Sequence, residues 1–283
     1  MIRNTLGLFL ALFLFLACQK DSPHKELLRA ERLHNEKRYA EEIEVYRFLM
    51  DRYPQSAEAV AGSLRIGEIY QYSLADRDQA LKAYAEVAER WKGKGREALT
   101  ALERRASLFE AEGDSLSAIG EYERLLSQRS DSSRTDYYLY QLSSCYLKTQ
   151  EYAKSQSALV RLIKDFPKSD WIDGAWLDLG ESFFLQNRFD KALEAYQQLI
   201  SNFPKSPYLL RARFSSALAL EEMAEWDKAL KIYEELLSTY PNPKMIELKI
   251  DKLKERQKNM KADLPKGQSP FGSTGRGRFR NRK

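Results

Sequence analysis

The sequence predicts an all-α protein that folds as an α-solenoid of about six helix-turn-helix repeats, followed by a C-terminal capping helix. An apolar pattern with helical spacing recurs along the chain every 37 or 38 residues. The composition, with 43% hydrophobic and 31% charged residues, fits a protein rich in amphipathic helices. A single helix pair cannot bury its apolar side alone, so the pattern also predicts that neighbouring pairs stack.

The clearest repeat is the stretch 171–204. Its first helix places apolar or small residues at i, i+3, i+4 and i+7, namely Trp176, Leu179, Gly180 and Phe183. Its second helix carries a small residue, an aromatic residue and a leucine before a proline that ends it: Ala192, Tyr196, Leu199 and Pro204. We expect Gly180 and Ala192 to lie where two helix backbones approach closely.

This order of residues resembles a tetratricopeptide (TPR) repeat. The resemblance implies a right-handed TPR superhelix. Sliding the pattern along the chain gives six repeats, at about 24–54, 60–92, 99–130, 136–167, 173–204 and 210–241. The turn of the second repeat is one residue longer than usual, and Glu42 in the first repeat stands where the pattern has alanine.

A Pro-x-Ser element separates several repeats. It occurs at Pro54–Ser56, Pro167–Ser169 and Pro204–Ser206, each time after an aromatic residue. Proline cannot continue a helix, and serine can cap the N-terminus of the next one, so we interpret the element as a stop followed by a start. This spacing resembles the TPRs of envelope proteins, namely the BamD family of outer-membrane assembly lipoproteins and the CpoB-like periplasmic TPR proteins.

The N-terminus predicts export. Arg3 precedes twelve apolar residues, Leu6 to Ala17, which are too few to cross a bilayer and fit the core of a signal peptide at 1–17. The following Cys18 resembles the lipidated cysteine of a bacterial lipoprotein, which implies acylation with fatty acids such as palmitate and a short linker at 18–23. The alternative is ordinary secretion or an uncleaved anchor. Gln19 after the cysteine resembles the sorting signal for the outer membrane.

The C-terminus predicts a capping helix at 242–263 and a disordered basic tail at 264–283. Met245, Ile246, Ile250 and Leu253 recur with helical spacing among many charges, as expected for the end of a solenoid. The tail holds six Lys or Arg residues and no acid. Three interpretations stay open: a solvated end, a contact with anionic lipid or cell-wall polymer, or a contact with RNA. The rest of the chain is close to neutral and predicts no nucleic-acid-binding surface.

No sequence pattern predicts catalysis. The chain lacks a phosphate-binding glycine loop, a G-x-S-x-G elbow, an H-E-x-x-H motif and a C-x-x-C motif. His24 and His34 lie apart and are expected to be exposed, and Cys145 is expected to be a small buried helix residue. We therefore predict a protein that is not an enzyme, with no cofactor, no metal and no small-molecule substrate.

The predicted function lies in a surface instead. In TPR arrays the first helix of each pair lines a concave groove. Carrying the groove-facing positions of the motif onto this chain gives a partner-binding set in repeats four to six: Tyr137, Tyr140, Leu147, Leu177, Glu181, Phe184, Leu185, Arg211, Phe214 and Leu218. These side chains would bind an extended peptide or helix of another envelope protein. The alternative is that close winding of the repeats buries them.

The resemblance implies a membrane-anchored interaction scaffold in the bacterial cell envelope, an outer-membrane lipoprotein that faces the periplasm. Its partners would be other envelope proteins or peptides, and its N-terminal lipid would contact the membrane. The BamD resemblance implies an accessory of outer-membrane β-barrel assembly. The alternative is a periplasmic adaptor for cell division, peptidoglycan or Tol-type machinery, as in the CpoB-like proteins.

Overall fold

The computed structural model describes residues 22–92, 95–128 and 134–262. In these ranges the chain forms thirteen α-helices and no strand, which confirms the all-α prediction. The chain divides into two compact units, unit 1 at 1–149 and unit 2 at 150–283. The predicted signal peptide at 1–17, the lipidation at Cys18 and the basic tail at 264–283 lie outside the described residues, as does most of the linker at 18–23.

Unit 1 contains seven helices: α1 Pro23–Asn35, α2 Tyr39–Arg52, α3 Ala57–Glu68, α4 Arg77–Arg90, α5 Arg96–Ala111, α6 Ser115–Gln128 and α7 Thr135–Lys148. A π-helical turn at Ile69–Ser73 extends α3 and takes up the extra residue of the second repeat, with Leu74 N donating to Ile69 O at 3.0 Å. The odd-numbered helices are the first helices of their repeats.

Unit 2 contains six helices: α8 Tyr152–Asp165, α9 Ile172–Leu185, α10 Phe189–Asn202, α11 Leu209–Glu222, α12 Trp226–Leu236 and α13 Pro243–Ala262. Helix α13 is the predicted capping helix. Its residues Ile246, Ile250 and Leu253 are buried in one cluster with Leu220 and Leu236 of the sixth repeat. This burial closes the apolar side that the last repeat would otherwise expose.

The second helix of most repeats contributes a tyrosine to the core. Tyr84, Tyr122, Tyr196 and Tyr233 are each 0–1% exposed, and Tyr46 is 5% exposed. The glycines of the first helices make room for these rings. A Cβ placed on Gly180 would lie 2.3 Å from Cε1 of Tyr196. The expectation that Gly180 serves a close approach of helix backbones is therefore corrected, because a tyrosine ring occupies the space.

Only one described Pro-x-Ser serine acts as the expected helix cap. Ser56 Oγ accepts from Ala59 N at 3.1 Å at the start of α3. Ser169 and Ser206 instead accept from the amides of Trp171 and Tyr208, two residues further on, and so form turns before α9 and α11 begin. The prediction that these two serines cap helices is wrong, because each helix starts three residues after its serine.

Candidate partner-binding surfaces

The predicted partner-binding residues divide between the two units, three on α7 and seven on α9 and α11. In unit 1, Tyr137, Tyr140 and Leu147 are all half-buried. The Arg134 guanidinium lies 4.7 Å from the centre of the Tyr137 ring, and Gln141 Nε2 donates to the Tyr137 hydroxyl at 3.2 Å. Tyr137 is thus held in place by neighbours on its own unit.

In unit 2, Leu177 is a core residue. It is 1% exposed and packs in a cluster with Tyr196 of α10 and Ala212 of α11. The prediction that Leu177 lines an accessible groove is therefore corrected, because the next first helix covers it. Phe214, at the equivalent position one repeat later, is half-buried, and its ring lies 5.8 Å from Tyr233 and 5.2 Å from Tyr240.

The remaining residues of the set are more accessible. Leu185 is 57% exposed at the end of α9, while Phe184 beside it is half-buried with its ring 5.2 Å from Phe189. Leu218 is half-buried on α11. Leu185 is thus the most exposed apolar residue of the predicted set, and Phe184 mainly supports the turn between α9 and α10.

The two charged residues of the set form an ion pair. Arg211 Nη2 lies 2.6 Å from Glu181 Oε1, joining α11 to α9. Burial raises the pKa of Glu181, and the adjacent Arg211 opposes that rise. Since the Arg211 side chain is 57% exposed, the pair contributes little to stability and leaves a charged, accessible edge beside Leu185.

Ion pairs of this kind recur between neighbouring repeats, and one joins the last repeat to the capping helix. Glu68 of α3 pairs with Arg104 of α5 at 3.8 Å, Glu103 pairs with Arg134 at 2.8 Å, and Glu221 of α11 pairs with Lys249 of α13 at 3.0 Å. The helical pattern alone did not predict these pairs. Their sequence separations of 36, 31 and 28 residues are the signal that links them, because they are close to the repeat period and so join neighbouring repeats.

Two clefts open between first helices of unit 1. One, of 200 Å³, lies between α5 and α7 and is lined by Thr100, Glu103, Arg104, Ser107, Tyr122, Arg134 and Tyr137. The other, of 370 Å³, lies among α1, α2 and α3 and is lined by Glu31, His34, Asn35, Glu42, Tyr46 and Arg65. Each therefore has a repeat tyrosine among its lining residues, together with acidic and basic groups.

A buried polar network lies next to the smaller cleft. The Tyr122 hydroxyl donates to Glu110 Oε2 at 2.7 Å, and the Cys145 thiol lies 3.6 Å from Glu110 Oε1. Cys145 is fully buried, as expected, and burial together with the Glu110 charge raises its pKa to about 12. The thiol is therefore protonated at neutral pH and has no nucleophilic character.

Unit 2 also carries a larger groove outside the predicted set. It encloses 880 Å³ along α10, α11 and α12, with apolar side chains such as Leu193, Ile200 and Met223 and a rim of charged residues.

Within residues 22–92, 95–128 and 134–262 no group of three or more His, Cys, Asp or Glu side chains could hold a metal ion. In that same part of the chain, no helix has both the length and the apolarity needed to cross a membrane.

Comparison with known protein families places these helix pairs in one class. Three profiles described as tetratricopeptide repeat match residues 69–133, 137–169 and 171–242, which together are more than half of the chain. The chain therefore belongs to the tetratricopeptide-repeat family, whose members typically serve as non-catalytic scaffolds for protein–protein interaction. No curated protein matches the sequence.

Solved structures show the same fold at low sequence identity. The crystal structure of MamA protein is 24% identical with a TM-score of 0.53, over 66% of this chain and 98% of that one. YrrB, described as a TPR protein with an unusual peptide-binding site, is 15% identical with a TM-score of 0.56, over 73% and 97%. The structure of Naa15/Naa10 bound to HypK-THB is 12% identical with a TM-score of 0.55, over 85% and 35%.

Proposed function

We propose that the protein is a membrane-anchored, non-enzymatic scaffold of the bacterial cell envelope that binds peptide segments of other envelope proteins. The observation that carries the binding part is Leu185, a 57% exposed leucine beside the Arg211–Glu181 pair on the side formed by first helices. An exposed apolar side chain with a charged edge is suited to a peptide that buries one residue and pairs another.

Proteins of similar fold support the proposal that the chain binds other proteins or peptides. YrrB is described by its peptide-binding site, and Naa15 is described in a complex with Naa10 and HypK-THB. The proposed machinery is outer-membrane β-barrel assembly, because the Pro-x-Ser spacing and the cysteine after an apolar leader resemble its TPR lipoprotein. Adaptors of Tol-type, cell-division or peptidoglycan machinery are the competing assignment.

The proposed anchor is a lipid on Cys18. Twelve apolar residues followed by cysteine support it, and each buried methylene of an acyl chain would contribute about 0.8 kcal/mol to membrane binding. Radiolabelled palmitate should enter the protein and should be absent from Cys18→Ala, which should leave the membrane fraction. Label retained in that variant would contradict lipidation at this residue.

The proposed binding surface is tested by crosslinking in envelope membranes, followed by identification of the captured proteins. Leu185→Lys should reduce capture at least tenfold, because a charge replaces the apolar contact. Val160→Lys is the matched control, since Val160 is 50% exposed on α8, a second helix of the same unit. Equal capture by both variants would contradict the assignment. Subunits of β-barrel assembly among the captured proteins favour the first machinery, and Tol or synthase components favour the second.

A further inference from the structure

Glu42 is a buried carboxylate with one oxygen left without a partner. Its side chain is fully buried on α2, at the position where four later repeats have alanine, namely Ala80, Ala118, Ala192 and Ala229. Its Oε2 lies 2.9 Å from His34 Nδ1. Its Oε1 has no hydrogen-bond partner among the described residues. A buried carboxylate oxygen that accepts no hydrogen bond from the protein costs free energy.

The 370 Å³ cleft that Glu42 lines gives such a donor a place to bind. His34 and Asn35 of α1 and Arg65 of α3 form its walls, with Tyr46 beside Glu42 on α2. Because a carboxylate only accepts, the hydrogen of His34 lies on Nδ1. Arg65 Nη2 lies 3.4 Å from His34 Nε2, so both ring nitrogens of His34 have a partner.

The charge around the cleft is negative. Arg65 Nη1 lies 2.9 Å from Glu68 Oε2, so the positive charge of Arg65 already has a partner. Glu42 and the exposed Glu31 remain, and Glu31 has no ion pair within the described part of the chain. Burial and the charge of Glu42 raise the pKa of Tyr46 to about 12, which keeps its hydroxyl protonated at neutral pH.

We infer that the cleft of Glu31, His34, Asn35, Glu42, Tyr46 and Arg65 binds the ammonium group of a lysine side chain from a peptide partner. The side chains that cover Glu42 Oε1 would move on binding, so that the ammonium donates to this oxygen, with Glu31 at the opening as a second acceptor. Lysine fits better than arginine, because a guanidinium pairs with two carboxylate oxygens at once and His34 already holds one of them. An anionic group is excluded by the two acids. The inference rests on the proposed peptide-binding function.

Lysine binding can be followed through the NMR signals of His34, because the chain has two histidines and His24 serves as the reference. We would titrate the purified protein with Nα-acetyl-lysine N-methylamide and follow the imidazole signals of His34 and His24 by NMR. Saturable shifts of His34 alone are expected, because the ammonium approaches the carboxylate that holds its ring. The Nε-acetylated compound, which has no charge, and potassium chloride at equal concentration should leave His34 unchanged. An equal response to either would overturn the assignment.

Glu42→Ala is the decisive variant, since alanine occupies this position in four of the five later repeats and is compatible with the fold. The variant should keep its helical circular dichroism and lose at least tenfold in affinity for the lysine amide. Glu31→Gln, at the exposed opening, should lose less. Undiminished binding by Glu42→Ala would overturn the site. Absence of lysine binding together with partner capture that depends on Leu185 would reject this cleft alone and leave the proposed function standing.

Discussion

At the scale of single residues, the repeats depend on tyrosine rings that lie against glycine. A Cβ on Gly67 would lie 2.3 Å from Cε1 of Tyr84, and Gly180 has the same relation to Tyr196. Both rings are 0–1% exposed and therefore have no free volume to move into. Gly120, on α6 of the same unit as Gly67, has no atom within 4 Å of its added Cβ.

We expect Gly67→Ala to destabilise the protein by about 1–3 kcal/mol, because the methyl group displaces the Tyr84 ring. Gly120→Ala should instead be neutral or gain up to about 1 kcal/mol, since alanine favours the helix and meets nothing. Urea denaturation followed by circular dichroism measures both. Equal changes in the free energy of unfolding for the two substitutions would show that a methyl group on Gly67 does not clash with the Tyr84 ring.

The sequence predicts which apolar residues lie on the same side of a helix. It does not predict which neighbouring helix covers them. Leu177 and Leu185 have the same assignment in the repeat pattern, yet the first is 1% exposed and the second 57%. The difference arises because Leu177 lies in a buried cluster that includes Ala212 of the following repeat, 35 residues further along the chain. Helical periodicity carries no information about such distances.

The same limit applies to Glu42. The repeat pattern shows an acid where alanine is expected. The cleft around Glu42, however, is formed with His34 and Arg65, which lie on two other helices, and the pattern does not predict these contacts. The ion pairs between neighbouring repeats were likewise hidden among many exposed acids. The fold was predictable because it rests on a repeated local pattern, whereas these charged sites depend on single residues of adjacent repeats.

At the scale of elements, the turn inside each helix pair places one residue in the left-handed region of the backbone. Lys37, Ala75, Gly113, Gln150, Asn187 and Ala224 all have φ between 53° and 78°, and they recur every 37 or 38 residues. In the sixth repeat Glu225 N donates to Leu220 O at 2.8 Å and Ala224 N to Glu221 O at 3.1 Å, the hydrogen bonds of a Schellman motif. A left-handed conformation disfavours side chains, so the non-glycine turns are strained.

We expect Ala224→Gly to stabilise unit 2 by about 0.5–1 kcal/mol. Glycine removes a strain of about 1–2 kcal/mol and loses part of that gain through the greater freedom of the unfolded chain. Ala153→Gly, at an exposed position in the first turn of α8, should cost up to about 1 kcal/mol. Thermal melting of the two variants should therefore shift in opposite directions, and a loss of stability in Ala224→Gly would contradict the strain.

At the scale of the whole molecule, each unit has buried core tyrosines, and these make its stability depend on alkaline pH. Burial is the main cause that raises the pKa of Tyr84 and Tyr122 in unit 1 and of Tyr196 and Tyr233 in unit 2. Several of these hydroxyls donate to first-helix side chains, as Tyr84 does to Gln71 Oε1 at 2.8 Å. An ionised tyrosine would lose that donor inside the core.

The sign of the effect follows from linkage. A folded-state pKa above the unfolded value of about 10 means that the folded protein holds protons that the unfolded chain releases. The stability due to these protons is complete below pH 10 and is lost as the pH rises toward the folded-state values. We therefore expect helix to melt above pH 10, with the absorbance of tyrosinate at 295 nm rising in the same transition.

A variant with Tyr84→Phe and Tyr233→Phe tests the cause, because it removes one of these ionisable groups from each unit and keeps both rings. Its alkaline transition should become shallower and move to higher pH, although at neutral pH it loses the hydrogen bonds of both hydroxyls, to Gln71 and Glu221. If the buried tyrosines ionised without loss of helix, the 295 nm signal would be complete while circular dichroism stayed unchanged. Such a result would mean that water reaches the rings, and the core formed by the repeats would then be looser than their burial indicates.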